Sequence, residues 1–438
     1  MERAFSPHKT MASNNIPVQH PRFVPLLDLQ RQYAGIREEV LAAIERVCSS
    51  QQFILGREVE ELEGEVAQWL GVEAAVGCAS GTDALWLAQA VAGIRPGDKV
   101  LTTAFSFWAT ASSIVRLGAY PIFVDVNDKT LNLDPLQLRR TLERHPDLVP
   151  GPKHKNAPHA RPTAVEASRT AVLPVHLYGQ CADMASLNAM AEEYGLVVIE
   201  DAAQAFGAKW NKRSAGSIGV SAAFSFYPTK NLSAYGEAGL LTTNNLQMAE
   251  QARRLRNHGS TEKYVHTELG WNARLDAIQA AVLRVKLKRI EHWNQRRRER
   301  ADVYDRLFAK AGFWSLEQET RARNAQESQT GELSQPAHSP IERLERSPEA
   351  FHVFHQYVIR ARDRENLRRF LGTRGVGTEV YYPVPLHLQP VFAYLGYKEG
   401  DLPESERAAK EVLALPMFPE LTEDEQKFVV AAIAEFYS

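Results

Sequence analysis

LVVIEDAAQAFGAKWNKRSAGSIGVSAAFSFYPTKNLSAYGEAG, residues 196–239, contains two apolar, strand-like runs. The first closes on Asp201 and the second, rich in aromatics, closes on Lys230, so opposite charges stand 29 positions apart at two expected strand ends. Residue by residue, the pair fits an ordinary ion pair at the rim of a sheet. A second reading comes from the setting, because open α/β sheets bind ligands at the carboxyl ends of their strands.

Working outward, AAVGCASGTDALWLAQAVAGI (residues 74–94) reads as a short strand that turns through Ser80, Gly81 and Thr82 into an apolar-faced helix. A helix start offers unpaired N–H groups to an anion, and a glycine lets backbone approach closely. The same turn is also what a plain capped helix would show. DKVLTT, PIFVDV and TAVLPVHLYGQ follow as further strands with helices between them. This alternation from Ala74 to Gly239 predicts a mostly parallel, doubly wound α/β sheet with right-handed crossovers.

Pyridoxal phosphate (PLP) accounts for both charges, since its aldehyde needs a lysine and its pyridine nitrogen needs a carboxylate. IEDAAQAFGA and FSFYPTKNL resemble the DegT-type family of PLP-dependent sugar aminotransferases, as does SGTDAL. The resemblance implies fold type I, with a large domain built on a seven-stranded sheet and a smaller C-terminal α+β domain. It implies that Lys230 is the Schiff-base lysine, that Asp201 faces the pyridine nitrogen, and that Gln204 approaches the ring's phenolic oxygen. Gly81, Thr82 and Ser225 then hold the phosphate. Phe107 stacks on the ring, with Trp108 as the alternative, and Asn272, in a GxNxR element, reaches the cofactor of a second subunit. His176, Tyr178, Tyr382 and His387 are candidate substrate contacts, His176 also being readable as a wall of the pocket or a proton shuttle.

The expected organisation is a tail over 1–21, a large PLP-binding domain over 22–290 and a small domain over 291–438. Two polar stretches, about 145–168 and 317–349, read as surface insertions because they lack an apolar period. Residues 36–47 and 57–71 carry helical spacing. The run from Leu275 to about Gly312 reads as one long helix linking the lobes, and AFHVFHQYVIRA (350–361) as one alternating strand.

With 44% hydrophobic residues among 438, the chain has ample apolar content for more than one core. A formal net charge of −2 offers no footprint for nucleic acid, the Arg296–Arg300 patch being one solvated helical face. Cys48, Cys78 and Cys181 are scattered, which excludes a disulfide scaffold and fits a cytoplasmic protein. No stretch is long and apolar enough to span a bilayer. His145, His154 and His159 have no acidic or cysteine partners at ligand spacing, so no metal is expected.

Within the family, FYPTKNL and HLYGQ look most like enzymes that aminate carbon 3 of a dTDP-linked 3-keto-6-deoxyhexose, usually with L-glutamate as donor. Tyr235–Gly239 reads YGEAG where many carbon-3 enzymes have Gly-Asp, which leaves a 4-keto or a UDP-linked sugar as the alternative. The resemblance also implies a homodimer with shared sites. A sugar dehydratase of this fold carries histidine in place of the lysine. A regulatory protein that holds PLP without turnover is the rival of a different class.

Overall fold

Seven strands form the central sheet of the computed structural model, which describes residues 23–149, 169–314 and 339–438. In spatial order they are Ala74–Cys78, Gly239–Thr243, Ser221–Ser225, Val197–Asp201, Thr170–Leu173, Lys99–Thr103 and Tyr120–Val124. Gly239–Thr243 alone among them runs against both neighbours, so the sheet is mostly parallel, as the strand and helix alternation predicts. Ala74–Cys78 and Gly239–Thr243 are buried along their whole length, which is why neither strand alternates apolar with charged residues.

Register places Cys78, Gly239 and Ser225 abreast, with Asp201 opposite Ala223 on the adjoining pair. The carboxyl ends of the parallel strands therefore open onto one edge. Helices Arg37–Ser50, Arg57–Leu70 and Ala277–Leu287 pack on this sheet's core through Val40, Val47, Leu62, Val66 and Leu283. Gly71 ends the second of them at φ 72°, a left-handed cap that glycine adopts without a Cβ penalty.

A second core surrounds a three-stranded antiparallel sheet of Ile341–Arg343, Tyr357–Ala361 and Val412–Leu415. Tyr304 and Phe308 meet Ile359, Leu371, Val429 and Ile433 there. Thr422 and Glu425 close a reciprocal capping box at the start of helix Glu423–Phe436.

Three local expectations change. The run from 275 to 312 is two helices, Ala277–Leu287 and Ile290–Lys310, because the first buries its residues in the large core while the second crosses to Tyr304 and Phe308 in the other. AFHVFHQYVIRA is not one strand. Ala350–Phe351 pairs with Lys209–Trp210, Phe354 takes a φ of 46°, and a new strand starts at Tyr357. The polar stretch 317–349 lies outside the described residues up to 338, but its end carries the strand Ile341–Arg343.

The tail, 1–21, and residues 150–168 of the first insertion also lie outside the described residues, along with His154 and His159. The first insertion's described start forms a short 3-10 turn, Pro146–Leu148, with Leu148 buried. Among the described residues, no helix is long and apolar enough to cross a membrane.

Candidate active site

At the sheet's carboxyl edge, Asp201 is buried and its two oxygens are separately fixed. Thr110 Oγ1 donates to Oδ2 at 2.7 Å, and the Ala203 N–H donates to Oδ1 at 3.2 Å. Since the Thr110 hydroxyl proton is used on Asp201, the 2.7 Å contact between Ser106 and Thr110 has Ser106 as donor. Burial raises the Asp201 carboxyl, while Thr110, Ala203 and the charge of Lys230 pull it back down. Such a carboxylate gains most from a cation placed before it.

Lys230 faces it from a different element than expected. The strand ends at Ser225, and the lysine sits five residues later in a turn held by its N–H donating to the Tyr227 carbonyl at 2.8 Å. Pro228 and the following TKN favour a turn over a continued strand. Desolvation lowers the Lys230 amine to about 8, against the attraction of Asp201. An amine in that range is free in a usable fraction near neutral pH.

Ser225 lies against the start of helix Gly81–Val91. A Cβ on Gly81 would stand 2.5 Å from Ser225 Cβ, and one on Gly239 would stand 2.1 Å from the Ser80 carbonyl oxygen. Three strand and helix ends thus meet where only glycine fits. Ser80 caps the helix by accepting from the Asp83 N–H at 3.1 Å, and its carbonyl takes the Ala84 N–H, leaving those of Gly81 and Thr82 outside these bonds. Asp83, whose charge would oppose an anion, is tied to Arg116 at 2.6 Å. The cradle suits a phosphate. Gly81→Ala is expected to cost about 1–3 kcal/mol of stability by overpacking, read as a lowered melting temperature; a melt equal to the parent's would show that the contact relaxes freely.

Phe107 caps helix Trp108–Arg116 and is 55% exposed, its ring 5.9 Å from that of Tyr382. Trp108 instead packs on Phe392 at 5.2 Å. Of the two, Phe107 is the more exposed ring and the one set against Tyr382. Gln204 Nε2 donates to the Tyr382 hydroxyl at 2.9 Å, and its Oε1 accepts from the Tyr178 N–H at 2.7 Å. The Tyr382 proton stays free to donate, and burial together with the charge of Asp201 raises this phenol and keeps it protonated.

Three expected substrate contacts are already engaged elsewhere. His176 is fully buried, with the Ala182 N–H donating to Nδ1 at 3.2 Å, so the ring proton is on Nε2 and goes to Glu200 at 2.9 Å. Glu200 adjoins Asp201 on the opposite strand face and also accepts from the Gly216, Ile218 and Gly219 N–H groups. The histidine is a hydrogen-bond node at the sheet edge, with both ring nitrogens engaged within the protein. Tyr178 is buried and donates its hydroxyl to the Tyr381 carbonyl. His387 is buried and joined to Glu406 at 3.1 Å.

Asn272 is exposed and opposes Asn257; the neighbouring Ala273 carbonyl accepts from the Ala79 N–H at 3.1 Å, just before the helix start. Within one chain it is not joined to the cluster. Thr110, Asn231 and His355 are not among the site residues the sequence patterns point to. Thr110 lies one turn beyond Phe107, and Asn231 adjoins Lys230, whereas nothing local marks His355.

A model of the DegT/DnrJ/EryC1/StrS aminotransferase family matches residues 34–434. A pleiotropic regulatory protein of Geobacillus stearothermophilus is 46% identical over 414 residues, covering 94% of this chain and 98% of that one. A dTDP-3-amino-3,4,6-trideoxy-alpha-D-glucose transaminase of Streptomyces venezuelae is 37% identical over 413 residues, covering 94% and 96%. Among solved structures, S. venezuelae DesV superposes with a TM-score of 0.80 at 36% identity, over 94% of this chain and 98% of that one.

Proposed function

Because the chain belongs to the DegT/DnrJ/EryC1/StrS aminotransferase family, whose members are PLP-dependent enzymes of fold type I, we propose that it moves an amino group from L-glutamate to carbon 3 of a dTDP-linked 3-keto-6-deoxyhexose. At the coarser level it is a PLP-dependent aminotransferase acting on nucleotide-linked keto sugars. What supports the reading is that Asp201, buried at the sheet's carboxyl edge, and Lys230, in the turn that follows the neighbouring strand, lie near enough for each charge to act on the other's ionisation. PLP, when bound, supplies an aldehyde that takes up amines and a protonated ring that draws electrons from the α-carbon.

The residues divide the remaining work. Gly81 and Thr82 N–H groups, with Ser225 Oγ, would hold the phosphate. Asp201, fixed by Thr110 and Ala203, keeps a negative charge against the pyridine nitrogen. Phe107 would cover one face of the ring, and the Tyr382 hydroxyl, which accepts from Gln204, keeps its own proton to donate. Lys230 Nζ would take the proton from the donor's α-carbon in the first half-reaction and deliver one to the acceptor's carbon 3 in the second, a role that needs an amine whose ionisation lies near working pH.

Carbon 3 and the dTDP group rest on the resemblance around Lys230 and on the Streptomyces relative's stated product. Asn272 is assigned to the cofactor phosphate of a second copy, which its exposure permits. Incubating the holoenzyme with glutamate and a panel of dTDP- and UDP-linked 3- and 4-keto sugars should yield the 3-amino product from the dTDP-3-keto sugar, as read by mass spectrometry. Amination confined to a 4-keto or a UDP-linked sugar would overturn the substrate assignment. A chain that binds PLP but takes no amino group from any donor would support the regulatory role that the Geobacillus relative's name states.

A further inference from the structure

Next to Lys230 in the chain, Asn231 is buried within a network that the proposed chemistry does not use. Asn294, from helix Ile290–Lys310, donates its Nδ2 to the Phe206 carbonyl at 3.0 Å. A carbonyl can only accept, so this bond fixes the amide's orientation, and Asn294 Oδ1 must accept from Asn231 Nδ2 at 2.8 Å. Asn231 Nδ2 also donates to the Val353 carbonyl at 3.2 Å, which fixes the second amide in turn. Only Asn231 Oδ1 is left for His355, whose Nδ1 stands 3.2 Å away and must carry the proton.

The site is built for this arrangement. Asn231, Asn294 and His355 are 5%, 3% and 8% exposed. Gly207 has a φ of 93°, and a Cβ there would stand 2.4 Å from Asn294 Nδ2, so only glycine admits the amide. Arg297, one helical turn beyond Asn294, donates NH1 to the carbonyls of Phe354, His355 and Met417, each at 3.1 Å. One helix face thus grips both the turn bearing Lys230 and the loop bearing His355. The charged groups that act on the His355 ring are Lys230 and Arg297, both cations; together with burial they keep the imidazole neutral and its ionisation well below the usual histidine range.

We propose that His355 is a positioning residue for Lys230, fixing the lysine's turn by donating its Nδ1–H to Asn231 Oδ1. The small lobe, whose strand begins two residues later at Tyr357, is thereby coupled to the reactive amine. This inference rests on Lys230 being the cofactor lysine.

The test measures Lys230 itself in cofactor-free protein, by the pH dependence of its competitive acetylation followed by peptide mass spectrometry. The parent should titrate near 8. His355→Leu removes the donor at similar bulk; the loosened turn admits water, and the midpoint should rise by at least about half a unit toward the ordinary lysine value. His355→Asn places an amide donor where Nδ1 stood and should keep the parent midpoint. PLP binding should weaken on the order of tenfold in His355→Leu and stay within about twofold in His355→Asn, a change near 1.4 kcal/mol for the first. An unmoved midpoint in a folded His355→Leu, or an equal shift in both variants, overturns the proposal. If His355→Leu does not fold, His355→Asn decides alone: a parental midpoint sustains the proposal and a shifted one overturns it. A parent that never binds PLP through Lys230 would instead sink the functional reading beneath it.

Discussion

Lys230→Ala is expected to abolish amino transfer, lowering turnover about 10⁴-fold, at the upper end of what a single positioned acid–base group supplies. The lysine both holds the cofactor and moves the proton, so neither function has a substitute at the site. The visible absorbance of bound PLP should vanish with the activity, and borohydride should label Lys230 in the parent and no peptide in the variant. One other lysine gives the experiment its contrast. Lys286 is also buried, with its amine lowered to about 8 by desolvation, donating to Ser233 Oγ at 2.9 Å and lying 4.4 Å from the centre of the Tyr235 ring. A depressed amine is therefore not by itself a reactive one. What distinguishes Lys230 is the facing carboxylate of Asp201. Borohydride label on Lys286, with turnover retained in Lys230→Ala, would move the assignment there.

Asp201→Asn should leave the fold intact and cut turnover on the order of 10²–10³-fold, the usual range when one preorganised electrostatic contact is removed from a catalytic site. Thr110 and the Ala203 N–H both donate to this side chain. An asparagine can accept from only one of them, so its amide nitrogen must turn toward the other donor or toward the cleft. Either way the negative charge is gone, and a pyridine nitrogen placed there loses its reason to stay protonated. The loss should fall mainly on the chemical step, with PLP affinity reduced less than turnover, and presteady-state measurement of the glutamate half-reaction would separate the two. Turnover within a few-fold of the parent would show that Asp201 is not the group facing the ring.

Much of this site could be read from residue order because local chemistry announces it. Asp201 at the close of an apolar strand and the SGT turn entering a helix are short-range signals, and both survive in the structure as a strand end and a helix start packed against Ser225. Lys230 was legible as a residue but misplaced as an element. An apolar, aromatic run looks like strand to its end, yet the backbone leaves the sheet at Ser225, and Pro228 starts a turn.

The histidines show where such reading stops. His176, His355 and His387 look alike as lone imidazoles beside apolar residues, yet one donates to Glu200, one to Asn231 and one meets Glu406, across separations of 24, 124 and 19 positions. Periodicity and strand-end charge are properties of neighbouring residues, so the doubly wound sheet, the glycine turn that opens helix Gly81–Val91 and the candidates Asp201 and Lys230 were legible in the sequence alone. Which buried polar group takes which partner depends on the packing of elements remote in the chain, since each donor must be satisfied once water is excluded. Tertiary structure alone therefore decided that His176 is tied to Glu200, that Tyr178 is committed to the Tyr381 carbonyl, and that His355 meets Asn231, next to Lys230 in the chain.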